Sequence, residues 1–129
     1  MGTTMEGGEL YINDDLVPRI ANSLTLNDGE GETIITSQII GGGQVDPTSA
    51  EDFSTKIGGF TVDMLTTVEN VALKRKWKKN GIKNVGRFTS LSGEVTIFPK
   101  LALTNSVDIN VGADTVMSLE FKGSPSRTA

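Results

Sequence analysis

The chain has 129 residues, enough for one domain with a modest core. It has no cysteine and no histidine. That removes disulfides, thiolate metal sites, cysteine nucleophiles, the usual general base near neutral pH and Ser-His-Asp catalysis together. The net charge of −4 conceals two opposed blocks. Up to Asp52, ten acids face one base, Arg19, a balance of −9; from Lys74 to Lys83, six bases stand with no acid. Such blocks suit either two solvated faces or head-to-tail pairing of copies. No apolar run reaches the length of a membrane span, and MGTTMEGGEL lacks the basic and apolar regions of a secretory leader. The Glu at position 6 also argues against N-terminal myristoylation.

In chain order, residues 1–8 are expected to be flexible. Glu9–Asn13 reads as a short strand and Asp14-Asp15 as a turn. Leu16–Leu26 contains a second strand, with Ile20, Leu24 and Leu26 in alternation, and Pro18 marks its start as an edge or bulge. Asn27–Gly31 (NDGEG) is rich in residues that tolerate positive φ and predicts a β-hairpin with the strand Glu32–Ile40. Gly41–Asp52 (GGGQVDPTSAED) reads as a loop of about twelve residues, a length that in a compact domain is usually functional. Phe53–Leu65 reads as one long strand bent at Gly58-Gly59.

Thr66–Gly81 is the one clear helix. Thr66 and Glu69 form a capping box. Val68, Val71, Ala72, Leu73 and Trp77 form an apolar stripe, cations crowd the C-terminal half, and Asn80-Gly81 offers a left-handed stop. Ile82–Ser90 contains a strand. Gly93–Leu103 is a strand interrupted by Pro99, and Ser106–Ala113 is a turn and extended segment. Thr115–Lys122 closes the domain with Val116, Leu119 and Phe121 in the core, before a frayed tail. Six or seven strands and one helix predict a single, mainly β domain over residues 1–129: two packed β-sheets, sandwich- or barrel-like, flanked by a helix at about 66–80.

Candidate chemistry is thin. Asn27–Glu32 has closely spaced carboxylates but lacks the calcium-loop pattern. Gly41–Gly43 is not followed by the Lys-Ser/Thr of a phosphate loop. Lys74–Lys83 around Trp77 reads better as a helix end over a buried tryptophan than as a nucleic-acid patch, since the rest of the chain is acidic and poor in aromatics. Asp14-Asp15 and Glu51-Asp52 read as surface turns. No catalytic, metal or cofactor-binding residue is assigned, and no enzyme activity is expected.

The order of elements resembles the tail tube proteins of contractile-tailed bacteriophages. The matching stretches are ELYIND and the hairpin after it, IIGGGQVDPTSAEDFSTKIGGF, TTVENVALKRKWKKNG and DINVGADTVMSLEFKGSP, most of residues 9–125. The resemblance implies two packed β-sheets with a flanking helix, in hexameric rings that stack into a tube through which genomic DNA passes without specific binding. It implies no cofactor and no membrane insertion. Its partners would be further copies of the chain and the tail sheath, baseplate and tail terminator proteins, in a virion tail assembled in the host cytoplasm. Similar folds occur in type VI secretion and pyocin tubes.

The resemblance assigns subunit contacts to the long loop, residues Gly41, Gly42, Gly43, Gln44, Val45, Asp46, Pro47, Glu51 and Asp52, and more loosely to residues 1–8 and 123–129. The charge asymmetry adds Lys76 and Lys79 at the helix end. An acidic channel would repel phosphates, and exposed strand edges would become ring-closing contacts. The alternatives are a tube terminator or baseplate hub of related fold, and a monomeric β-sandwich that binds a small ligand or carbohydrate.

Overall fold

Alternation of apolar and polar residues builds most of the strands. In β1 (Glu9–Ile12) Leu10 and Ile12 are fully buried while Glu9 faces solvent. The computed structural model describes residues 5–40 and 44–129, with side chains given for all of these except 36–40 and 44–46. Asn13 and Asp14, both at positive φ, turn β1 into β2 (Asp15–Leu16). The remaining elements are β3 (Thr25–Asn27), β4 (Glu32–Ile40), β5 (Gln44–Asp52), β6 (Gly58–Leu65), α1 (Val68–Lys79), β7 (Asn84–Thr89), β8 (Val95–Leu103), β9 (Val116–Gly123) and β10 (Arg127–Thr128).

All pairings are antiparallel. The main sheet runs β2-β1-β7-β8-β9-β6-β3, with β10 added to β8, and β4-β5 form a separate two-stranded sheet. β2 and β3 end opposite edges of the path, yet few residues separate them in the chain. The Val17 N–H donates to the Leu10 carbonyl, and three residues later the Ile20 N–H donates to the Asp63 carbonyl on β6, both at 2.9 Å. The chain thus steps from one edge of the sheet to the other and closes it into a barrel-like layer pair. Phe60 on β6 meets Phe98 on β8 edge-on at 5.5 Å across the interior. The expected mainly β architecture with one helix is what the chain adopts.

The helix covers the core with Trp77, fully buried and edge-on to Phe121 at 6.0 Å. Its N-cap is Thr67, one residue later than the expected Thr66. The Thr67 hydroxyl accepts the Asn70 N–H at 3.2 Å. The buried face therefore runs through Asn70 and Trp77, with Val71 and Leu73 packed beside it, and Val68, expected in the stripe, is 84% exposed.

Several expectations are corrected. The NDGEG turn joins two different sheets: β3 pairs with β6, and β4 pairs with β5. The turn chemistry itself is present. Gly29 and Gly31 have positive φ, and the Asn27 side-chain oxygen accepts the Gly29 N–H at 2.9 Å. A side chain at Gly29 would meet the Gly58 backbone at 2.6 Å, so the turn seats against the start of β6 and steers β4 away.

The Gly41–Asp52 loop is mostly strand, since Gln44–Asp52 is β5 in register with the whole of β4. The strand expected within Leu16–Leu26 is confined to the ends of that range, Leu16 in β2 and Thr25-Leu26 in β3, and the alternation does not extend back to Ile20. Residues Phe53–Thr55 form a 3-10 turn, so the strand expected from Phe53 begins at Gly58. Pro99 does not interrupt β8. It sits where β7 and β8 slip register, a bulge that absorbs the missing donor. In β9 the buried set is Met117, Leu119 and Phe121, and Val116 is 43% exposed. The tail expected to fray contributes β10, which pairs with β8.

Candidate subunit interface

β4 and β5 pair over nine residues each, so the arm they form is roughly 30 Å long at about 3.3 Å per residue. Its described side chains at residues 32–35 and 47–50 are exposed, Ile35 to 72%. None of them joins the core. An isolated two-stranded ribbon is marginal in water, and both of its long edges carry backbone groups open to further pairing.

The sequence-predicted loop residues fall on or beside this arm. Gly41, Gly42 and Gly43 lie outside the described residues. Gln44, Val45 and Asp46 open β5 opposite Ile40, Ile39 and Gln38. Pro47 stands opposite Ser37 and is exposed; a ribbon strand tolerates proline because one edge has no partner. Glu51 holds the Lys56 ammonium at 2.7 Å. Asp52 caps the following turn, where one carboxylate oxygen accepts both the Ser54 N–H at 3.1 Å and the Ser54 hydroxyl at 2.6 Å. These two acids therefore fasten the root of the arm to the chain that follows it. The Lys56 ammonium also lies 4.8 Å from the centre of the exposed Phe53 ring.

The two helix residues part company. Lys76 pairs with Asp15 of its own chain at 2.9 Å, tying α1 to the β1-β2 turn. Lys79 is exposed and makes no ion pair among the described residues. Asp15 and the Glu51-Asp52 pair belong to different sheets and are held by these separate partners, so the fold does not assemble them into an acid/base site. Among the described residues no cluster of three or more acids could hold a metal ion.

Some surface features escaped the sequence reading. Leu65 and Val116 are direct cross-strand partners, and both are exposed beside Val68 at the helix start. Their exposure follows from the strand phase and from the one-residue shift of the cap. At the root of the arm, Thr25, Ile57, Gly59, Glu120 and Lys122 border a cleft of about 370 Å³. On the outer face of the main sheet, the Arg87 guanidinium lies 4.9 Å from the centre of the Tyr11 ring, directly across from it in register.

No protein-family model matches the sequence, and no curated protein does. Among solved structures, the chain is similar to the anti-feeding prophage cap, described as a tube terminating cap and determined by cryo-electron microscopy. The match has a TM-score of 0.66 over 100% of this chain and 91% of that one, at 10% sequence identity. The two chains share a fold from end to end.

Proposed function

We propose that this chain is a structural subunit of a phage-like tail tube. It builds hexameric rings that stack into a channel for DNA ejection. The observation that carries this reading is the arm, which places about 30 Å of paired backbone outside the core with its described side chains in solvent. A free ribbon of this kind is an aggregation hazard for a monomer and a joint for an assembly. The shared fold with a prophage tube cap supports it. So does a sequence without histidine or cysteine, since a conduit needs no reactive side chain.

On this reading the partners are further copies of the chain, with sheath, baseplate and terminator proteins at its surface and ends, and DNA passing through without specific binding. The place of action is the tail, assembled in the host cytoplasm.

A second reading, tube terminator, is favoured by one observation: the similar structure is itself a terminating cap, matched over nearly its whole length. Negative-stain microscopy of the purified protein tests both. Six-fold rings stacked into tubes are expected for a tube subunit, and single rings that do not grow indicate a terminator. A protein that sediments at the mass of one chain at all concentrations excludes both and leaves the ligand-binding module.

A further inference from the structure

The opposed charge blocks acquire definite places in the fold. Residues 28–52 carry six acids and no base, whereas residues 74–83 carry six bases and no acid. Four of the acids, Glu30, Glu32, Glu51 and Asp52, sit at the root of the arm. The ladder sets Glu32 directly opposite Asp52, and like charges opposite each other weaken a strand pair. Little among the described residues relieves this. Lys56 reaches Glu51, Asp52 takes only the neutral donors of Ser54, and the Glu32 carboxylate makes no ion pair among the described residues.

The complement lies on α1. Lys76 is committed to Asp15, and Lys78 donates to the Leu103 carbonyl at 2.8 Å. Arg75 and Lys79, four residues apart, share one exposed face. Neither makes an ion pair among the described residues, and Lys83 is exposed just beyond them. The basic end of α1 also lies at the same end of the barrel as the root of the arm. Trp77 packs on Phe121, Phe121 pairs with Phe60, and Phe60 is two residues past Gly58, where β6 begins.

We infer that the acidic arm root of one copy, Glu32 with Asp52, seats against Arg75 and Lys79 on α1 of a second copy. The inference rests on the self-assembling reading above and assigns that assembly a contact. A guanidinium fork is suited to bridging two facing carboxylates. Because both surfaces lie at one end of the molecule, the contact is side to side, between neighbours at the same level.

The test is a charge exchange in the full chain. Arg75→Glu with Lys79→Glu should raise the protein concentration for half-assembly about tenfold, with the thermal midpoint of the unassembled chain unchanged. Glu32→Lys should do the same. Combining all three should restore assembly toward that of the parent, and assembly of the parent should weaken with added salt. If the helix double variant assembles as the parent does, or if the combination fails to restore assembly, the contact is wrong while the tube reading stands. A parent that never assembles overturns both.

Discussion

Among the described residues, Asn84 is the best-connected polar side chain, and it is fully buried. Its amide nitrogen donates to the carbonyls of Trp77 at 2.9 Å and Gly81 at 3.1 Å. Its oxygen accepts from Asn13 at 2.8 Å and Asn80 at 3.2 Å. Asn13 in turn accepts the Val85 N–H at 2.8 Å. One side chain therefore joins the end of α1 to β7 and to the β1-β2 turn. Asn84→Ala leaves two carbonyls and two amide groups short of partners, and a loss of about 2–4 kcal/mol is expected in urea unfolding. Intrinsic fluorescence of Trp77, the only tryptophan, can follow it.

Tyr11, the only tyrosine, donates its hydroxyl to the Glu9 carboxylate at 2.8 Å. That bond, with smaller help from desolvation and from the Glu9 charge, raises its pKa above the ordinary tyrosine value, and Arg87 opposes the shift. Because the folded value is the raised one, the bond's contribution is present in full below the ordinary tyrosine range and is lost as pH rises through the folded pKa. An absorbance titration should show Tyr11 ionising later than free tyrosine, with Glu9→Gln moving it back. Unchanged titration in that variant would remove Glu9 as the cause.

At the scale of elements, the arm and the barrel are separable. The arm shares the chain with the core, but none of its described side chains belongs to it. Replacing residues 33–51 with a short glycine-containing turn should therefore leave the barrel folded, with the unfolding free energy changed by no more than about 1 kcal/mol. The same change should abolish assembly in sedimentation. Loss of folding would show that the arm is part of the cooperative unit. The helix differs, because Trp77 and Asn84 fasten it to both layers of the barrel.

For the whole molecule, the governing feature is closure of the main sheet. The segment between β2 and β3 carries the chain across the gap, and the Arg19 side chain secures it by pairing with Glu6 at 3.1 Å and donating to the Gly8 carbonyl at 2.8 Å. With the main sheet wrapped on itself, the long free ladder that remains is the arm. The barrel is thus self-sufficient, and the arm is the part that gains most from a second copy. That division of labour suits the assembling role proposed above.

The sequence by itself determined what local chemistry can dictate. It specified the helix and its length to within two residues at each end, the positive-φ turn at Asn27–Gly31, the strands β1, β4, β7 and β9, the mainly β class and the two charge blocks. It also excluded histidine- and cysteine-based catalysis outright. Pairing was another matter. The partner of β4 depends on whether β3 is already taken by β6, a contact between residues more than thirty apart in the chain. The strand β5 could not be seen because Pro47, Asp46 and Ala50 are poor strand formers, and only the full-length ladder with β4 holds them extended. The fate of Lys76 was equally hidden, since its partner Asp15 lies 61 residues away. Propensity acts over a few neighbouring residues, whereas ladders and ion pairs join residues that only the closed barrel brings together.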